Sequence, residues 1–341
     1  MKNNSKLIIP PSLQKGDTIG FISPAAGLAP FAMHRVQNAI KYFESLGYIV
    51  KIAKNALKND GYVSSSVENR LKDIHEMFAD KKVKAIISTI GGNNSNQLLT
   101  KLDYKLISEN PKIFVGYSDI TSLHFAIQKK ANLATYYGPC VMTQFGEYPS
   151  PLLFTVESFF KTVADKSSQR YFQSKAWTDE TLDWFNKIDL TRPRKKRKNT
   201  GYHWLKGGEA TGPAWGGTLQ TLNALVGTDF WIDPKKSVFF LDIPEGHDIN
   251  SGMYLAEIDF YLNHLKLAGV FNSISALVVG RPYKYSTSDI DSLNKIILSV
   301  VENSNYPILT LANIGHTDPI ITLQYGSVLH LDSKKDLFEA L

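Results

Sequence analysis

Short apolar runs alternate with segments of helical periodicity through the first half of the chain. "DTIGFISPA" (Asp17 to Ala25) reads as a buried strand ending in a Ser-Pro turn. In "FAMHRVQNAIKYFESLGY", Val36, Ile40, Phe43 and Leu46 share one helical face and Gly47 stands as the stop. "IVKIA" is the next strand, and "SVENRLKDIHEMFAD" is a helix opened by a serine. "VKAIISTIGG" is a strand ending in two glycines, with a short helix near "SNQLLTKL". "KIFVG" and the helix "ITSLHFAIQKKA" follow, and "ATYYGPCV" closes the series. This rhythm predicts an α/β fold: an N-terminal domain over residues 1–150 built on a doubly wound parallel sheet with helices on both faces. Ligands of such sheets lie beyond the carboxyl ends of the strands.

The rhythm fails between about Tyr148 and Gly208. The segment 151–208 is rich in Pro, Lys and aromatics, including Trp177, Trp184 and Phe185, and reads as a linker with an aromatic and basic insertion. Order returns from Gly212. "GPAWGGTLQTLNALVGTDF" is a Gly-rich turn entering a helix, "SVFFLDIPEG" and "ISALVVGRP" are strands, and "YLAEIDFYLNHLKLAG" and "SDIDSLNKIILSVVEN" are helices. "YPILTLANIGHTDPIITLQYG" is a pair of short strands with a turn. Residues 209–341 are therefore expected to form a smaller C-terminal α/β domain, richer in strands.

With 43% hydrophobic and 11% aromatic residues over 341 positions, the chain has the means to bury substantial cores. No run approaches the roughly 18 apolar residues of a membrane span. "MKNNSKLIIPPSLQKGD" has no secretory apolar region, so a cytoplasmic protein without a membrane partner is expected. The single cysteine, Cys140, excludes an intrachain disulfide and a cysteine-cluster metal site; its apolar neighbours point to a buried thiol. The net charge of +6 equals the six cations of "TRPRKKRKNT", so the rest of the chain is neutral. That is one basic loop, not a basic face, and no nucleic-acid partner is expected.

Four pieces could carry chemistry. In "IFVGYSDITSLHFAI" an apolar strand meets Gly116, and Ser118 stands where a helix begins. Ser118 is either a nucleophile on a strand-to-helix turn or the N-cap of that helix, because the second glycine of G-x-S-x-G is missing. The Gly91-Gly92-Asn93-Asn94 turn would lie at the same sheet edge and could cradle an anion or be a plain turn. It has neither the Lys-Ser/Thr of a P-loop nor G-x-G-x-x-G, so no nucleotide cofactor is expected. His316 in "NIGHTDPIITL" is a loop histidine at the end of a strand, suited to a general base. In "VFFLDIPEG", Asp242 ends a strand with Glu245 three residues on and Asp248 close behind. No His/Asp/Glu spacing suggests a metal.

Taken together these stretches resemble the serine LD-carboxypeptidase family, peptidase family S66, which also contains the microcin C self-immunity proteins. The matching text includes "GDTIGFISPA", "IISTIGGNNSNQLLTKLDY", "NPKIFVGYSDITSLHFAI", "TYYGPCV", "GPAWGGTLQTLNALVGT", "LKLAGVF", "VVGRP" and "GHTDPIITLQYG", in preserved order over both halves. The resemblance implies a Ser-His-Glu type triad with Ser118 as nucleophile and His316 as base. It implies an oxyanion hole from backbone N–H groups of Asp119 and the Gly91-Gly92 turn, and an active site between the domains. Asn93, Trp184 and Arg281 are expected at the substrate. No cofactor is implied, and a homodimer is expected.

One departure matters. Where the family has "LE" at the end of the acid-bearing strand, this chain has Leu241-Asp242, and the interval to "LKLAG" looks longer. Either Asp242 or Glu245 orients His316; strand position favours Asp242. The resemblance implies hydrolysis of the LD-amide bond of a cell-wall muropeptide, releasing a terminal D-amino acid. The alternatives are a microcin C-type immunity hydrolase cleaving an aminoacyl-nucleotide amide, which the insertion favours, and a non-catalytic relative that only binds ligand.

Overall fold

The computed structural model describes residues 7–302 and 304–341. The first residues of the stretch expected to lack a secretory segment, and Asn303 in the last expected helix, lie outside the described residues. The chain forms two compact units. One runs up to Lys166 and takes in Leu182–Pro193; the other comprises Ser167–Thr181 and Arg194–Leu341.

The first unit is built on five parallel strands, β1 (Thr18–Ile22), β2 (Ile49–Ile52), β3 (Val83–Ser88), β4 (Ile113–Gly116) and β5 (Tyr136–Tyr137), in the order β5-β4-β3-β1-β2. β1 and β4 are buried along their whole length, as continuous apolar runs in a sheet covered on both faces should be. Helices α1 (Met33–Ser45), α2 (Val67–Ala79), α3 (Tyr104–Glu109), α4 (Thr121–Ala131) and α5 (Leu153–Phe160) supply the cover. Of the face predicted for α1, Val36 and Phe43 turn fully inward with Ala39 beside them, Ile40 and Leu46 are half-buried, and Gly47 ends the helix in a left-handed conformation. Ser66 caps α2 by accepting from the N–H of Asn69. Phe43, Phe145 and Phe159 meet in the core, with ring centroids 4.6 and 5.1 Å apart along that series.

The order 2-1-3-4-5 reverses between β1 and β3, which makes the carboxyl ends of those two strands the crevice of a doubly wound sheet. There the N–H of Ala26, after β1, donates to the carbonyl of Gly91, after β3, at 3.1 Å. A buried cation on α1 fixes the far segment of this unit. Arg35 donates to Asp189 at 2.8 Å, to Glu147 at 3.1 Å and to the carbonyls of Met142 and Thr143. Breaking such a buried network from one side costs several kcal/mol, about 3–5 by analogy with other buried pairs.

In the second unit a central parallel set carries antiparallel strands at both edges. Its strands are β6 (Gln169–Arg170), β7 (Ala176–Trp177), β8 (Arg197–Lys198), β9 (His203–Lys206), β10 (Glu209–Thr218), β11 (Val238–Asp242), β12 (Ala276–Gly280), β13 (Ile308–Ala312), β14 (Leu323–Gln324), β15 (Val328–Asp332) and β16 (Leu337–Ala340). The main sheet runs β6-β16-β15-β10-β11-β12-β13-β9, and β7 with β8 makes a separate ribbon. β10 serves two partners: Glu209–Pro213 pair antiparallel with β15, and Ala214–Thr218 pair parallel with β11. Helices α6 (Leu219–Leu225), α7 (Leu255–Leu267), α8 (Val270–Ser273) and α9 (Thr287–Val300) flank it, α9 opening with a full capping box between Ser286 and Asp289. β11 is buried throughout and ends on Asp242, so its last residue reaches the carboxyl edge of the sheet. The α/β architecture and the strand-rich second domain expected from the sequence are what the chain forms.

Candidate active site

Two constellations stand at the carboxyl ends of strands, one in each unit. The first follows β4. Ser118 has φ +63°, a left-handed conformation that costs a non-glycine residue on the order of 1–2 kcal/mol. It is the N-cap neither of the short 3₁₀ turn Ser118–Ile120 nor of α4, whose N-cap positions are Tyr117 and Ile120. The sharp turn instead half-exposes the serine at the sheet edge. Gly91 lies against it: a Cβ at Gly91 would come 2.8 Å from the Ser118 Cβ and 3.1 Å from its Oγ. Only glycine allows that approach.

Asp119 ties the two loops together. Its buried carboxylate accepts from the N–H of Ser95 at 2.8 Å, and its carbonyl accepts from the Ser95 hydroxyl at 2.8 Å. Burial pushes the Asp119 carboxyl up, opposed by hydrogen bonds from Ser95 and Asn94 and by the charge of Arg70. Arg70, itself buried, donates to the carbonyls of Pro24 and Asn94 and to Gln97 Oε1. Gly91, Gly92, Ser118 and Asp119 are thus brought together, with Asn93 exposed beside them. Below the turn, His124 Nε2 lies 2.9 Å from the carbonyl of Gly116. Burial lowers its pKa to about 4, so the ring is neutral and donates to that carbonyl. Cys140 is buried and its thiol is pushed up to about 11, which leaves it protonated and unreactive at neutral pH.

The second constellation follows β11 and β13. His316 Nδ1 lies 3.0 Å from Asp242 Oδ1 and 2.9 Å from Oδ2, and Thr218 at the end of β10 donates to Asp242 Oδ2 at 2.9 Å. Asp242 is fully buried. Gly315 makes room for it: a Cβ there would fall 1.7 Å from Asp242 Oδ1. Glu245 lies on the other side of the ring, with Oε2 3.6 Å from Nε2. Burial alone would lower the His316 pKa, but Asp242, Glu245 and Asp318 outweigh it and raise the value to about 9. Asp318 is held by Arg194 at 2.7 Å.

The remaining expected residues are placed as follows. Arg281 is buried, and burial lowers its pKa to about 10, so it stays charged. It donates to Asn199 Oδ1 and to the carbonyl of Leu311, and its guanidinium stacks on Trp177 at 4.8 Å. Trp184 covers the Arg35 guanidinium at 4.2 Å in the first unit. The basic run is partly engaged: Arg197 also stacks on Trp177 and pairs with Asp179 at 3.3 Å. Among the described residues no group of three or more His, Cys, Asp or Glu could hold a metal ion, and no helix is long and apolar enough to cross a membrane. Thr218, Gly315, Ser95 and Arg70 were not legible as site residues. Thr218 is the last residue of β10 and Gly315 stands three residues after β13, whereas Ser95 and Arg70 lie far from any strand end and carry no such signal.

The LD-carboxypeptidase N-terminal domain model matches residues 19–138, and the LD-carboxypeptidase C-terminal domain model matches residues 211–331. The chain belongs to peptidase family S66. It is 32% identical over 325 residues to the microcin C7 self-immunity protein MccF of Escherichia coli, covering 94% of this chain and 92% of that one. It is 34% identical over 325 residues to the probable murein peptide carboxypeptidase of Bacillus subtilis, covering 93% and 89%. The solved structure of MccF in complex with aspartyl sulfamoyl adenosine superposes with a TM-score of 0.90 at 30% identity, over 98% of each chain. The S66 matches thus reach both constellations, and hydrolysis is the chemistry of the family.

Proposed function

We propose that this S66 protein is a serine carboxypeptidase that hydrolyses the LD-amide bond of a cell-wall muropeptide and releases a terminal D-amino acid. The observation that carries the reading is the left-handed Ser118 at the carboxyl end of β4, with Gly91 packed against its hydroxyl. A strained strand-to-helix turn holds a serine hydroxyl outward in hydrolases of this chemistry.

In the proposed reaction, neutral His316 takes the Ser118 proton at Nε2 as Oγ attacks the amide carbonyl. Asp242 holds the opposite nitrogen, which fixes the tautomer and stabilises the imidazolium that forms. The N–H groups of Asp119 and of the Gly91-Gly92 turn receive the oxyanion, a term worth about 3–4 kcal/mol per donor in comparable sites. The C–N bond breaks, the leaving amine takes the proton from Nε2, and water repeats the cycle on the acyl-serine. Asn93, Trp184 and Arg281 are proposed substrate contacts, Arg281 for the free carboxylate. The expected homodimer is proposed on the exposed Phe260 and Leu267 of α7, which offer an apolar helix face.

A second reading has its own support. MccF, similar to this chain over 98% of its length, has been solved with an aminoacyl sulfamoyl nucleotide. Cleavage of an aminoacyl-nucleotide amide would use the same serine and histidine, with Trp184 or Trp177 available to stack on a base. Incubating wild type and Ser118→Ala with an LD-tetrapeptide and with an aminoacyl-sulfamoyl nucleoside, followed by mass spectrometry, separates the readings. Turnover of the tetrapeptide by wild type alone is expected. Turnover of the nucleoside alone moves the conclusion to the second reading, and turnover of neither leaves a non-catalytic ligand-binding protein.

A further inference from the structure

The strongest signal outside the proposed triad is the second carboxylate beside His316. Three acids act on that imidazole, and two are already engaged by the protein. Asp242 is buried between Nδ1 and the Thr218 hydroxyl, and Asp318 is paired with Arg194. Glu245 differs. Its side chain is 37% exposed, and its Oε2 stands 3.6 Å from Nε2, beyond hydrogen-bond length. Among the described residues its carboxylate has no other ion pair and no hydrogen bond.

The loop that carries Glu245 is fixed and not a loose tether. Glu245 bridges to Gly252, and the N–H of Gly246 donates to the carbonyl of Ser251 at 2.9 Å. Tyr283 braces both ends, its N–H donating to Ile243 O and its hydroxyl to Ile249 O at 2.8 Å. Gly252 is packed so closely that a Cβ would fall 2.4 Å from the Tyr283 carbonyl. The structure therefore presents a half-exposed anion at the one imidazole nitrogen that Asp242 leaves for chemistry.

We propose that Glu245 is a specificity-determining residue that receives an ammonium group carried by the substrate next to the scissile amide. The inference rests on the hydrolase reading above and deepens it. Any substrate group near Nε2 adjoins the bond being broken, so the ammonium is either the side-chain amine of the acyl residue or its free α-amine. A cation there restores charge balance beside two carboxylates. It also screens one of the three anions that favour the imidazolium, the others being Asp242 and Asp318, so binding favours the neutral base. An acyl residue with a carboxylate side chain meets repulsion at the same place.

The test uses peptides ending in D-Ala whose acyl residue is L-Lys, N6-acetyl-L-Lys or L-Glu, each with the α-amine free or acetylated. Wild type is expected to turn over the lysyl peptide with kcat/KM about two- to fivefold above its acetylated counterpart, the factor a partly exposed ion pair supplies. Glu245→Gln should collapse that ratio while still cleaving the acetyl-lysyl peptide, and Glu245→Lys should shift preference toward the glutamyl peptide. If the ratio follows acetylation of the α-amine instead, the α-ammonium is the group received, and the inference stands in that form. Equal losses on every peptide in Glu245→Gln would overturn it, because Glu245 would then act only through His316. If wild type cleaves none of the peptides, the hydrolase reading fails for this class. Calorimetric titration of the same peptides into Ser118→Ala and Ser118→Ala/Glu245→Gln then decides the inference by itself: charge-selective binding lost with Glu245 upholds it, and equal binding refutes it.

Discussion

His316 Nδ1 sits 3.0 and 2.9 Å from the two oxygens of Asp242, while Glu245 approaches the opposite nitrogen no closer than 3.6 Å. On the proposed mechanism the two acids have separable roles. A carboxylate on Nδ1 fixes the tautomer, whereas one near Nε2 does not. Asp242→Asn is expected to lower kcat by about 10³–10⁴, as in comparable triads, because the amide also presents an N–H to the ring. Glu245→Gln should retain far more activity on an uncharged substrate. Steady-state kinetics on one peptide set decides this, and near-normal rates for Asp242→Asn would remove it from the orienting role.

The same contacts set the pH dependence. Burial lowers the His316 pKa, but Asp242, Glu245 and Asp318 raise it to about 9 against an ordinary value near 6.5. A base must be neutral, so kcat/KM of the free enzyme should rise with pH and level off only above about 9. The stability contribution has the opposite sense. A histidine whose folded pKa is raised stabilises fully below its unfolded value, and that stabilisation is lost as pH rises from about 6.5 through about 9. Asp242→Asn should move the kinetic limb to lower pH. A wild-type limb that already levels off near pH 6 would mean that the acids do not govern His316.

Gly315 carries an equally specific expectation. Its φ of +94° and the 1.7 Å clash of a Cβ with Asp242 Oδ1 leave no room for a side chain. Gly315→Ala should destabilise the second unit by at least about 1 kcal/mol through backbone strain, and more through the clash. It should also displace Asp242 from His316. Thermal denaturation together with the pH profile tests both effects. A variant with wild-type melting and an unshifted kinetic limb would contradict this packing.

How far the sequence revealed these relationships depended on their range along the chain. β1 and β4 were legible because strands buried on both faces must be continuously apolar, β3 because only Lys84 interrupts such a run, and α1 because its inward positions repeat with helical spacing. The left-handed turn at Ser118 was not, because Ser-Asp-Ile after a strand is as good a helix start as it is an elbow. The choice between Asp242 and Glu245 turned on which imidazole nitrogen each faces, and three residues of separation in a loop do not encode that. Arg194 read as part of a basic linker because its partner, Asp318, lies far away in the sequence. Gly315 and Thr218 were hidden for the same reason: their importance comes from a carboxylate on a different strand.

Ser95 links the two loops of the first constellation and gives a prediction about positioning. Its N–H and hydroxyl both bond Asp119, the residue whose own N–H is proposed to meet the oxyanion. Ser95→Ala removes the hydroxyl bond and leaves the N–H contact. Net stability should fall by about 1 kcal/mol, or somewhat more because a buried carbonyl loses its donor. If the bond holds the oxyanion donors in register, kcat should fall about tenfold with KM nearly unchanged, because the oxyanion exists only beyond the ground state. Ser95→Thr, which keeps a hydroxyl, should recover part of kcat. A parallel loss in kcat and thermal stability with no rescue would mark Ser95 as structural alone.

Ser118 itself can be separated into its chemical and conformational parts. Ser118→Ala and Ser118→Gly both remove the hydroxyl of the proposed nucleophile and should both abolish turnover. They should differ in stability. At φ +63° glycine is free of the strain that alanine keeps, so the glycine variant should be more stable than the alanine variant by roughly 1 kcal/mol. Glycine gains freedom in the unfolded chain, which offsets part of that difference. Chemical denaturation of the two variants measures the balance. An alanine variant more stable than glycine by the usual helix margin would mean that residue 118 does not occupy the left-handed turn in solution, and the elbow reading would lose its basis.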